Sequence, residues 1–152
     1  MGFPDRIERT VELPHSPGKV WAALTTAEGL SAWFGHDAAI DPRPGGAGWM
    51  TWDSGFRVEM RVERVAEPAP AGGSPRIGIF GFTWQILELP EDDPRRTYVE
   101  FTLEPAGAGT RLTVVETGFA QLPADVHGKT YDSHVQGWAS ELGELAEHLD
   151  AA

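Results

Sequence analysis

The chain has 152 residues, a net charge of −11 and no cysteine. That length fits one domain of ordinary size, which buries about 68–70% of its unfolded surface and needs no staples. The charge argues against nucleic acid or an anionic membrane as the main partner, because phosphate contacts need clustered cations; the missing cysteines remove disulfides, thiolate nucleophiles and sulfur metal ligands together.

Hydrophobic residues make up 41% and charged residues 23%, a globular balance. The start, Met1-Gly2-Phe3-Pro4, opens no apolar run, and no stretch approaches the roughly 18 apolar residues of a membrane span. A cytoplasmic protein is therefore expected. Against this background the 6 tryptophans and 7 phenylalanines stand out.

In chain order, residues 6–13 alternate: Ile7, Val11 and Leu13 take one side, Glu8, Thr10 and Glu12 the other, as in a half-buried strand. Ser16 followed by Pro17 is an N-cap with proline at the first helical position. A short helix over 17–24 and a second over 27–33, capped by Thr26, follow. Residues 38–40 and 49–52 are strand-like and flank a turn at Pro44-Gly45-Gly46-Ala47-Gly48. Residues 56–65 give the cleanest alternation, with Phe56, Val58, Met60 and Val62 opposed to Arg57, Glu59, Arg61 and Glu63. That second set reads as a solvated outer face with cross-strand pairing. After a Pro/Ala/Gly loop at 67–75, residues 77–89 form a strand with both faces apolar, which places it centrally in the sheet.

Residues 97–104 and 110–117 pair through the turn Pro105-Ala106-Gly107-Ala108-Gly109. The last element runs from about 123 to 148. Its apolar residues Tyr131, Val135, Trp138, Leu142, Leu145 and Leu149 recur at spacings of 4 and 3, one stripe of a helix about 39 Å long. His127 and His134 share the stripe; Gly137 and Gly143 interrupt it, which suggests close packing or a slight bend. The expected fold is α+β: a curved antiparallel sheet wrapped around a long C-terminal helix, with two short helices between the first two strands.

Three segments together resemble a known family. They are Ser16-Pro17-Gly18-Lys19-Val20-Trp21 running on to Leu30-Ser31-Ala32-Trp33-Phe34-Gly35; Tyr98-Val99-Glu100-Phe101 with Gly109-Thr110-Arg111-Leu112-Thr113-Val114-Val115-Glu116-Thr117-Gly118-Phe119; and Gln136-Gly137-Trp138 leading into Leu142 and Leu145. They are similar to the AHSA-like branch of the SRPBCC superfamily, which also holds START lipid-transfer domains, the birch-pollen-allergen fold and polyketide cyclases. The resemblance covers nearly the whole chain. It implies a single domain over 1–152 with a helix-grip fold and a cavity between sheet and final helix.

The aromatic content then has two readings. Rings fill cores, burying 150–250 Å² each; they also line ligand pockets of about 300–1,000 Å³. On the pocket reading the ligand-binding residues are Trp33, Phe34, Trp49, Trp52, Met60, Phe80, Phe82, Trp84, Phe101, Tyr131, His134 and Trp138. Catalytic candidates are Glu116, Tyr131 and His134. The helix spacing puts Tyr131 and His134 on the face of Trp138, and Glu116 shares parity with Leu112 and Val114 at the end of its strand, facing inward or lying at the rim; a carboxylate and an imidazole could move protons. The five histidines show no metal-ligand spacing, no nucleophile elbow is present, and no cofactor is expected.

Three functions follow. The first is a soluble binding protein for a hydrophobic or amphipathic small molecule. The second is an enzyme of the polyketide cyclase or dehydratase kind, using Glu116, Tyr131 or His134. The third, implied by the family name, is a partner of the chaperone ATPase. The eukaryotic activators carry a separate N-terminal domain for which 152 residues leave no room, which weighs against that role. Neither nucleic acid nor membrane is an expected partner, and exposed rings at a pocket mouth would support a homodimer.

Overall fold

The computed structural model describes residues 5–51, 57–68, 77–90 and 92–151. Seven strands form one antiparallel sheet: β1 Arg6–Leu13, β2 Asp37–Ile40, β3 Ala47–Thr51, β4 Arg57–Ala66, β5 Gly78–Gln85, β6 Arg96–Ala106 and β7 Gly109–Thr117. The sheet order is β1-β7-β6-β5-β4-β3-β2. Strands β2 to β7 are a simple meander, and β1 closes the far edge against β7. Helices α1 Pro17–Thr25 and α2 Ala27–Trp33 stand between the first two strands, and α3 Ala124–Ala151 ends the fold. This is the helix-grip architecture: a curved sheet around a long C-terminal helix.

Local chemistry accounts for the joints. The Ser16 hydroxyl accepts the Lys19 N–H at 3.3 Å, and Pro17 begins α1 where its missing N–H costs nothing. Thr26 caps α2 by accepting the Gly29 N–H at 2.9 Å. A Cβ on Gly29 would lie 2.6 Å from the Ala22 carbonyl oxygen, so only glycine lets the two helices approach this closely. The turn before β3 is tied to β4, with the Gly45 N–H bonded to the Val62 carbonyl at 2.7 Å and Gly45 at φ +85°. It supplies turn geometry, as its sequence suggests, and does not border the cavity described below.

Helix α3 has 28 residues and is about 42 Å long. Trp138, Leu142, Leu145 and Leu149 are buried on the concave side of the sheet, each worth about 1.5–3 kcal/mol of burial. Gly137 and Gly143 are not close-packing sites, however: an added Cβ at either meets no atom within 4 Å.

Two further expectations change. Strand β5 is the middle strand of seven, but it stops at Gln85 instead of continuing to 89. There the chain turns, the Leu89 N–H meeting the Ile86 carbonyl at 3.1 Å; Ile86 and Leu89 both face inward while Leu87 is exposed. The outer-face charges also pair partly along their own strands, Arg57 with Glu59 and Arg61 with Glu63. The bond from Arg64 to Glu100 spans β5 at Gly81, which is in register with both. The Tyr98 hydroxyl, bonded to Glu100 at 2.8 Å, lies over Gly81, where a Cβ would fall 2.0 Å from it.

Candidate functional site

The concave face is built from alternate residues of neighbouring strands. Trp84 on β5 pairs with Thr97 on β6, and Val99, two residues on, pairs with Glu116 on β7. Strand parity thus brings Trp84, Thr97 and Glu116 to one patch, and α3 lays His134 and Trp138 across it.

Glu116 is the centre of this patch and is completely buried, not at the rim. Its carboxylate accepts hydrogen bonds from Thr97 Oγ1 at 2.6 Å, Trp138 Nε1 at 2.8 Å, Trp84 Nε1 at 3.0 Å and His134 Nδ1 at 2.9 Å to each oxygen. Thr97 also accepts from Trp84 Nε1 at 2.8 Å, so the indole is shared. Burial pushes the Glu116 carboxyl up, but the bond and charge of His134, with Thr97 and Trp138, outweigh it and hold it below the ordinary carboxylate range. Burial likewise pushes His134 down, and Glu116, helped by the Glu88 charge, raises it above the ordinary imidazole range. Both directions favour the charged form of each group. Such a pair contributes little net stability beside an apolar alternative, but loss of one partner strands a charge.

The His134 ring stands edge-on to Trp84 and Phe119, with centroids 5.9 and 5.5 Å away. Its Nδ1 is committed to Glu116, and no described residue bonds its Nε2. The ring edges a cavity of about 240 Å³ between the end of β5 and α3. Phe34, Val58, Trp84, Leu87 and Trp138 form its apolar wall; Gln85, Ser133, His134 and Glu141 supply polar edges, and Gly137 leaves room on the helix side. Trp84 and Trp138 stack at 5.8 Å and 23°, with Phe34 against both. Glu141 is half-buried; burial, the charge of Glu144 and a side-chain hydrogen bond with Glu144 push its carboxyl up to about 8.

The expected site residues divide accordingly. Phe34, Trp84, His134 and Trp138 meet at the cavity. Phe80, Phe82 and Phe101 have no exposed surface, and Met60 is buried among the core residues. These rings fill the interior, which is why the cavity falls below the expected 300–1,000 Å³. Trp33 donates to the Ala23 carbonyl at 2.8 Å and borders a neighbouring groove instead. Trp49 is on the opposite face: Met50 points inward, so Trp49 points outward, beneath the Arg57 guanidinium at 4.5 Å. Trp52 lies outside the described residues. Tyr131 donates to the Arg6 carbonyl at 3.0 Å and packs on Phe119, tying α3 to β1 away from the carboxylate.

Sequence reasoning passed over Thr97 and Glu141. Thr97 has the inward parity of Val99 and Phe101. Glu141 follows His134 by seven residues and Trp138 by three, the helical spacing of one face.

Among the described residues no three His, Asp or Glu side chains group as metal ligands, and no helix is long and apolar enough to cross a membrane. The family model described as Activator of Hsp90 ATPase homolog 1-like protein matches residues 14–150. Of solved structures, protein MLL2253 from Mesorhizobium loti is similar over 97% of this chain and 98% of its own, with TM-score 0.77 and 24% identity. Protein NE0264 from Nitrosomonas europaea is similar over 99% of both chains, with TM-score 0.72 and 21% identity. DynU16, a protein of the dynemicin biosynthetic locus, gives TM-score 0.74 and 22% identity over 97% of this chain and 48% of its own. At such identities the likeness is one of fold. No curated protein matches the chain.

Proposed function

We propose, from the premise that this chain belongs to the Activator of Hsp90 ATPase homolog 1-like family, that it binds a small hydrophobic or amphipathic molecule in the cavity between sheet and C-terminal helix. One observation carries the reading: an imidazole held by a buried carboxylate edges a ring-walled cavity of about 240 Å³. Apolar walls with a few placed polar groups are the general chemistry of ligand sites. The ligand's apolar body packs on Phe34, Trp84 and Trp138, and an acceptor oxygen meets His134 Nε2–H. The small volume favours a one- or two-ring body, or insertion of one end of a longer molecule.

Native mass spectrometry against a panel of lipids, polyketides and small aromatics tests this, with Gly137→Leu as the blocking variant. Gly137 borders the cavity with open space beside it, so leucine fills the site from the helix while the core stays intact. A panel member that binds the native chain and loses at least tenfold in affinity to Gly137→Leu is expected. Binding unaffected by that variant places the ligand elsewhere and contradicts the proposal.

A second reading, proton-transfer catalysis of the cyclase or dehydratase kind, is favoured by the Glu116–His134 pair, since a carboxylate that orients and charges an imidazole prepares a general acid. His134 is then the group that touches substrate, and Glu116 positions it. The place of DynU16 in a biosynthetic locus is consistent with such chemistry on a similar fold. In a substrate screen, turnover that survives His134→Gln would remove this reading.

A further inference from the structure

Two spaces meet at the end of α2. The ring-walled cavity of about 240 Å³ lies on one side, and a groove of about 520 Å³ between α2 and α3 lies on the other. Phe34 and Glu141 are the two described residues that border both. Glu141 meets them from α3, with its carboxyl bonded to Glu144. The Phe34 ring stands between their aromatic walls. On the cavity side it packs against Trp84 and Trp138, with centroids 5.8 and 5.4 Å away. On the groove side it stacks on Trp33 at 4.8 Å and 22°. Phe34 is 4% exposed, and its backbone is held as firmly as its ring. Its N–H bonds the Leu30 carbonyl at 2.8 Å at the end of α2, and the Gly35 N–H bonds the same oxygen at 3.0 Å. Gly35 then passes so close to β3 that a Cβ would lie 2.8 Å from the Thr51 carbonyl oxygen, which accepts the His36 N–H at 2.6 Å.

We infer that Phe34 is the specificity-determining residue of this site: its ring is the inner wall that limits the buried part of a ligand to one or two rings, and its removal joins cavity and groove into a channel for three- and four-ring bodies. The inference rests on the small-molecule reading above. A ring packed against three indoles and anchored at a helix end does not move aside without losing those contacts, because protein interiors are packed as densely as organic crystals. Truncating such a ring leaves a space that the surroundings fill only in part, and an apolar space accepts an apolar guest. The far side of Phe34 is more polar, with Ser31, His36, Glu144 and His148 along the groove. A ligand that passes the position of the ring keeps its rings between Trp138 and Trp33 and brings a hydroxyl to the groove. In the native chain the same ligand protrudes from the cavity mouth and loses that burial.

Two alcohols measure the depth of the site: 2-(2-naphthyl)ethanol, with two fused rings, and 4-(1-pyrenyl)butanol, with four, titrated at pH 7 into the full chain and its variants. The native chain is expected to bind the naphthyl probe about tenfold or more tighter than the pyrenyl probe. Phe34→Ala raises pyrenyl affinity about tenfold or more and weakens the naphthyl probe, which loses a wall. Phe34→Leu, the milder change should the alanine variant not fold, moves the pyrenyl probe the same way by about threefold. Ala32→Trp fills the groove from its exposed lining; combined with either Phe34 variant it cancels the pyrenyl gain, and alone it leaves naphthyl binding unchanged. Leu103→Ala, a comparable cut in the core that borders neither space, gives the pyrenyl probe no gain. A native chain that binds the pyrenyl probe as tightly as the naphthyl one overturns this inference while the small-molecule reading stands. So does a pyrenyl gain that is absent from both Phe34 variants, that survives Ala32→Trp, or that Leu103→Ala shares, since the last marks general loosening. Binding of neither probe by the native chain overturns it and counts against the cavity reading as well.

Discussion

At the scale of single residues the structure is organised by one carboxylate. Glu116 draws Trp84, Thr97, His134 and Trp138 together, joining three strands to the C-terminal helix through one acceptor. Replacing Glu116 by alanine leaves a buried imidazolium without its counter-ion, and the cost expected in urea unfolding at pH 6 is about 3–5 kcal/mol. The pH dependence has a definite sign. His134 is raised in the fold from 6.5, so its contribution is present in full below that value and is lost as pH rises through the folded-state one. Glu116 is lowered from 4.5, so its contribution is present above that value and is lost as pH falls through the folded-state one. Stability attributable to the pair is therefore greatest between about 4.5 and 6.5 and declines on the alkaline side. His134→Gln should lower that plateau and remove the alkaline decline; an unchanged profile in the variant would show that the pair is not ionised.

At the scale of elements, hydrophobic periodicity located nearly every strand and helix, because a half-buried strand and a one-sided helix must alternate with the period of their backbone. It was least reliable where the chain leaves a regular element. Ile86 and Leu89 continue the apolar run of β5 but are buried by a turn, and composition does not distinguish the two. The helical glycines are a related case. Sequence shows that Gly137 and Gly143 weaken α3, yet only the structure shows open space beside both. Gly143→Ala and Gly137→Ala should each raise stability by about 0.5–1 kcal/mol in thermal or urea unfolding. They should part in binding. Gly143 is exposed away from the cavity and its variant keeps ligand affinity, whereas Gly137→Ala weakens it because the methyl group enters the cavity edge. Equal effects of the two on binding would move the ligand away from α3.

At the scale of the whole molecule, the aromatic residues that stood out in the composition have separate jobs. Phe80, Phe82 and Phe101 fill the interior, Trp33 supports α2 against α1, Trp49 covers the outer face, and Trp84 and Trp138 with Phe34 wall the cavity. Parity read from the sequence carried most of this division. It failed at Trp49 because Trp49-Met50-Thr51 has no alternation strong enough to fix its face. Element order and three motif segments made the fold legible. The site was legible in its members more than in its form, since the meeting of Glu116, His134 and Thr97 depends on register across three strands. The central claim is that a small molecule seats against Trp84 and Trp138 beside His134. Each of the 6 tryptophans has one indole N–H, so a ¹H–¹⁵N spectrum of the labelled chain titrated with 2-(2-naphthyl)ethanol reports on every ring separately. The indole signals of Trp84 and Trp138 are expected to shift in a saturable manner while those of Trp33 and Trp49 stay in place; saturable shifts confined to Trp33 or Trp49, or no shift at millimolar probe, would contradict it.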